Sequence, residues 1–66
     1  MRHQVLQLLQ TQLEAAQANI HNCESQILDC RGDPQAVSAL QRVQIKYEAV
    51  ADLLETEIQE LQKLVV

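Results

Sequence analysis

From Leu6 onward, apolar residues fall at Leu6, Leu9, Leu13, Ala16, Ile20, Cys23, Ile27 and Cys30, in steps that alternate three and four without a break. A helix turning once every 3.6 residues brings every third or fourth side chain back to one face, so this spacing predicts a helix with a single apolar seam. A second series runs Val37, Leu40, Gln44, Tyr47, Ala51, Leu54, Ile58, Leu61 and Val65. Between the two stand the only glycine and the only proline of the chain, Gly32 and Pro34. The pattern predicts a helix over 2–30, a turn over 31–33 and a second helix over 34–64. The first would be a rod of roughly 43 Å at about 1.5 Å per residue. Two matched rods with so short a connection must lie antiparallel.

The pairing can be tested by arithmetic. If the chain folds back between residues 33 and 34, facing residues have numbers that add to 67. Cys30 then faces Val37, Ile27 faces Leu40, Ile20 faces Tyr47 and Ala16 faces Ala51. Further along, Leu13 faces Leu54, Leu9 faces Ile58 and Leu6 faces Leu61. Cys23 opposite Gln44 is the one layer that departs from the apolar rule. Either series alone fits any coiled coil; their mirror registry selects a hairpin. The fold class expected is an all-α antiparallel two-helix hairpin, with residues 1–66 as one domain. At 66 residues the chain is near the lower limit for a single core. Pairing of two hairpins into a four-helix bundle is therefore a second expectation.

The turn segment "ILDCRGDPQAVS" contains an Arg-Gly-Asp tripeptide at Arg31, Gly32 and Asp33. Gly32 is expected to adopt the left-handed conformation that ends many helices. Asp33 is suited to cap the second helix, and Pro34 to occupy its first position. Ala36 cannot complete a capping box. An adhesion role would need a mobile extracellular loop, whereas a proline follows here and the turn uses Gly32 and Asp33 structurally. The tripeptide reads as a hinge.

Charge and composition exclude several classes. The net charge is −4 and the pI about 4.9, and the five basic residues are scattered, so no stripe exists to bind nucleic acid or an anionic membrane. No apolar run approaches the ~20 residues of a membrane span. The stretch "MRHQVLQLLQTQ" carries basic residues and leucines, but glutamines interrupt it before a signal-peptide core forms, so a cytoplasmic location is expected. Cys23 and Cys30 would be separated by about 10.5 Å of helical rise, too far for a bridge within one chain. His21 points away from the seam that Cys23 occupies, and no metal-ligand spacing is present. His3 and the dispersed acids offer no enclosed pocket in a two-helix hairpin. No catalytic residue, metal or cofactor is expected, and the chain is not read as an enzyme.

Closing the seam leaves a second apolar flank. On the second helix it comprises Ala39, Val43, Val50, Leu53 and Leu64, turned roughly 60–130° from the seam. The first helix leaves Val5, Leu8 and Ala15, and antiparallel packing puts both sets on the same side. The opposite side carries Glu24, Glu48, Asp52 and Glu55, with Leu28 as an exception. Aligned aliphatics of this kind mark interfaces more often than they mark idle surface. The expected protein-binding residues are Val5, Leu8, Val43, Val50, Leu53 and Leu64.

The segment "CRGDPQAVSALQRVQIKYEAVADLLETEI", in a chain that reads as one helical hairpin, resembles the small YscE-type co-chaperones of bacterial type III secretion. Those proteins have a similar Gly-Asp turn followed by a Gln-containing, Ala- and Leu-rich helix, and the likeness covers roughly the second half of this chain. It implies a cytoplasmic binding protein that docks on a tetratricopeptide-like chaperone, the complex keeping a needle subunit monomeric before export. The part "GDPQAVSALQRVQIKYEAV" also resembles the hairpin of needle and inner-rod subunits, though the polar, often Trp-containing N-terminal segment of needle subunits is lacking. The alternative expectation is thus a self-assembling subunit, or a coiled-coil scaffold that pairs as a homodimer.

Overall fold

The computed structural model describes residues 1–65, and side chains over 1–64. It contains two helices, α1 (Arg2–Asp29) and α2 (Pro34–Val65), and no strand among the described residues. The Cα envelope measures 50 × 14 × 13 Å. A 32-residue helix is by itself about 48 Å long. The whole molecule is therefore one helix long and two helices wide, as an antiparallel hairpin requires.

Burial follows the predicted seam. Ala16, Cys23, Ala51, Leu54 and Ile58 are buried, and the other described seam residues are half-buried. Outside the seam only Asn19 and Ala36 among the described residues are shielded to a comparable degree. The Val65 position of the second series lies outside the described side chains. No described side chain is completely enclosed. That follows from the architecture: two helices meet along a line, so each seam residue is covered from one direction only.

The Cys23–Gln44 layer is resolved without an orphaned group. Cys23 is buried, Gln44 half-buried, and no buried side-chain nitrogen or oxygen among the described residues lacks a partner. Gln44 lends its aliphatic stem to the seam and keeps its amide within reach of water, as long amphipathic side chains do.

Hydrogen bonds fix the register at both ends. At the open end the Arg2 guanidinium donates from Nη1 to the carbonyl of Leu64 at 3.0 Å. It thereby satisfies one of the last carbonyls of α2 with a cation, the charge that a helix C-terminus favours. At the closed end the Cys30 amide donates to Gln26 O at 2.9 Å, and Asp33 N–H donates to Cys30 O at 2.8 Å. The Asp33 carboxylate then accepts from the amides of Gln35 (3.2 Å) and Ala36 (3.3 Å) on a single Oδ1. Pro34, which has no amide to satisfy, takes the first position of α2, as expected.

The expectation for Gly32 is corrected. No glycine in the chain has a positive φ. Helix α1 ends instead at Cys30, with φ −106° and ψ 15°, in the sparsely used bridge region. Residues Cys30–Asp33 close a turn in which neither central residue needs left-handed geometry, unlike a type II turn, which would demand it at Gly32. Asp33 supplies the start of α2, so the turn is set by the cap and the proline. The turn consequently does not require glycine, and that ground for treating the tripeptide as purely structural falls away. Its Asp33 carboxylate is nonetheless engaged by two amides.

Two substitutions separate these roles. A Cβ built on Gly32 meets nothing within 4 Å. Gly32→Ala should therefore stabilise the hairpin by about 0.4–1 kcal/mol through loss of unfolded-state freedom. A left-handed Gly32 would give the opposite sign. Asp33→Ala should cost about 0.5–2 kcal/mol by removing the cap. Urea or thermal unfolding followed by circular dichroism reads both.

Candidate protein-binding surface

The middle of the hairpin is built from small residues. Ala16 and Ala51 face each other across the seam and are both buried, and Ala15 lies beside them on α1. Larger side chains flank this layer: Tyr47 half a heptad toward the turn and Leu54 toward the open end. A small layer between large ones leaves a hollow. The structure has one here, an open groove of about 320 Å³. Gln12, Ala15, Ala16 and Asn19 line it from α1, and Tyr47, Val50, Leu53 and Leu54 from α2.

The six residues expected to bind a partner are all exposed: Val5, Leu8, Val43, Val50, Leu53 and Leu64. The groove brings together two of them, Val50 and Leu53, from a single helix, and Ala15 joins them from the other. This juxtaposition places the flanks of α1 and α2 on the same side of the hairpin. Val5, Leu8, Val43 and Leu64 do not line the groove. Leu64 sits at the open end, where its carbonyl meets Arg2, and Val5 and Leu8 lie about one and two turns along α1 from that contact. Val43 stands about two turns from Val50 toward the hinge.

Five groove residues escape a reading by sequence: Gln12, Ala16, Asn19, Tyr47 and Leu54. Ala16, Tyr47 and Leu54 belong to the seam pattern and so register as core. The signal available for them is the run of small residues at Ala15 and Ala16 opposite Ala51, a place where two helices cannot fill the space between them.

The opposite side is less uniformly acidic than the sequence suggests. Ile45 is 64% exposed, and Leu28 is 65% exposed. A second open groove of similar volume is lined by Ile27, Gln41, Gln44, Ile45 and Glu48. Ile45 is therefore a second apolar exception beside Leu28. Helical count alone reaches it, because one residue beyond seam position Gln44 turns it about 100° onto the acidic flank.

Both cysteines are free, Cys23 buried and Cys30 half-buried. Among the described residues no group of three or more His, Cys, Asp or Glu converges, and no helix is long and apolar enough to cross a membrane. Comparison with protein-family models, curated proteins and solved structures gives no match for this chain.

Adjacent leucines on α2 make the surface testable. Leu54 is 8% exposed and Leu53 60%. Leu54→Ala should cost about 2–4 kcal/mol by opening the seam. Leu53→Ala should stay within about 0.5 kcal/mol in dilute monomer, since its side chain is mostly exposed to solvent. Parallel denaturant titrations at low protein concentration check the pair.

Proposed function

We propose that this chain is a non-enzymatic protein-binding module that presents one side of a helical hairpin to the grooves of a helical partner. The observation that carries the reading is the groove beside Val50 and Leu53. Aliphatic side chains left 46% and 60% exposed flank an apolar hollow that the chain itself does not fill. Filling such a hollow with a partner's side chains removes apolar surface from water on both molecules, which is the main favourable term in association.

Within that class, the resemblance of the turn and second helix to YscE-type co-chaperones supports a specific role. The chain would act in the cytoplasm of a cell with a type III secretion apparatus, docking on a tetratricopeptide-like chaperone. The pair would hold a needle subunit monomeric until export. A slender hairpin suits this task because stacked helix pairs of a tetratricopeptide partner form an elongated concave surface that a rod of 50 Å can follow.

Calorimetric titration of a tetratricopeptide-type secretion chaperone with the full chain tests the role. Replacing Val50 and Leu53 by Asp should weaken binding by about a hundredfold or more, from two lost apolar contacts of about 1.5 kcal/mol or more each. Helicity should be retained, because neither side chain is packed in the seam. Unchanged affinity in the double variant would move the interface elsewhere. Growth of the free chain into filaments would overturn the chaperone role in favour of a structural subunit.

A further inference from the structure

Helix α2 carries a second heptad series beside its seam. Val43, Lys46, Val50, Leu53, Glu57 and Glu60 step by three and four in strict alternation, and Ala39 and Leu64 extend the series at either end. All eight residues are exposed. Such spacing fits a facing helix, and α1 already occupies the other seam. The three charged residues decide which helix can face it.

Two copies of α2 can be laid antiparallel so that facing numbers add to 103. Val50 then meets Leu53 of the second copy, Lys46 meets Glu57 and Ala39 meets Leu64, each contact occurring twice by symmetry. Val43 meets Glu60, whose carboxylate lies 3.9 Å from Lys63 of its own helix. Neither Lys46 nor Glu57 makes an ion pair among the described residues. Other arrangements lose this match. Parallel pairing would set Lys46, Glu57 and Glu60 each against its own copy, giving like-charge layers that destabilise. Laying α2 across the second copy's α1 puts Lys46 level with Asn19 and Asn22, and Glu57 level with Leu8 and Gln12. No charge there answers either residue.

The groove supplies an independent observation. The two-fold axis of the antiparallel arrangement crosses α2 between Ala51 and Asp52. Through the hairpin register it crosses α1 between Ala15 and Ala16, which is the centre of the groove. On α1 the same axis brings the smallest side chains together and sets Gln12 against Asn19, two amides that can each donate and accept. The apolar hollow and the charge pattern thus share one symmetry point.

We propose that a second copy of this chain covers the groove, with α2 antiparallel to α2 about that axis, forming a four-helix bundle. The inference rests on the preceding reading that this side of the hairpin is its binding side. The side presents about 700 Å² in projection, from its 50 and 14 Å extents. Stable complexes bury about 800 Å² per partner, which is the same order as this face. A helical partner would have to displace the second copy, and the two associations compete.

Sedimentation equilibrium of the full chain, with its cysteines kept reduced, tests the proposal. The wild type should be a dimer. Lys46→Glu and Glu57→Lys should each weaken dimerisation by about tenfold, since two cross-copy pairs become like-charged. The double variant, K46E with E57K, should restore it, and that restoration also shows that neither substitution acts by unfolding the hairpin. A dimer indifferent to both charge changes would overturn the antiparallel register. A chain monomeric at millimolar concentration, whose Val50→Asp and Leu53→Asp variant still loses a helical partner, would overturn self-pairing and leave the binding side intact. Dimerisation and partner binding both unaffected by those two aspartates would overturn the proposal and the binding side together.

Discussion

Contact along one line between α1 and α2 holds this protein together. Two helices in a hairpin can bury only a stripe of each, and here the stripe is made of alanine, leucine, isoleucine, valine and cysteine with a single tyrosine and a single glutamine. The consequence is visible in the burial: five residues are well shielded and none is wholly enclosed among those described. With so thin a core, the ends of the seam matter. Arg2 ties the start of α1 to the end of α2, while Asp33 and Pro34 start α2 at the other extreme. A slip of one residue would misplace the Arg2–Leu64 hydrogen bond and rotate the apolar stripe off its partner.

The same thinness leaves an apolar groove open on one side of the hairpin. A third helix would cover the flanks that a two-helix fold must leave open. Around Ala15, Ala16 and Ala51 the side chains are too small to fill the space between the helices, and the hollow that results is bordered by Val50 and Leu53. Core packing and groove are therefore coupled: the residues that make the core locally sparse are those that open the hollow. On the proposed reading, a second copy or a helical partner would complete a core that the hairpin begins.

Much of this was legible in the residue pattern. The alternation of three and four, mirrored about residues 33 and 34, specified both helices and their register, and burial of Leu54 and Ile58 agrees with it. The cap at Asp33 and the position of Pro34 were legible because their chemistry is local. Gly32 departs from the expected conformation for a physical reason. Glycine permits a left-handed conformation without requiring it, and the turn here closes through Cys30 and Asp33 with φ negative throughout. Ile45 is not distinguished by the pattern because a single aliphatic among the acidic residues of that flank forms no series of its own.

By itself the sequence determined that there are two helices, where they start and which stripes meet, because helical periodicity is a property of the chain alone. It also determined the order of charges along the free flank of α2. Only the tertiary structure decided that Ala15 shares a groove with Val50 and Leu53, and that Val5, Leu8, Val43 and Leu64 stand apart from it. The physical reason is that a groove is a property of space between side chains on different helices. Its depth depends on how closely two backbones approach and on which volumes are missing, and neither quantity is written in the periodicity of either helix.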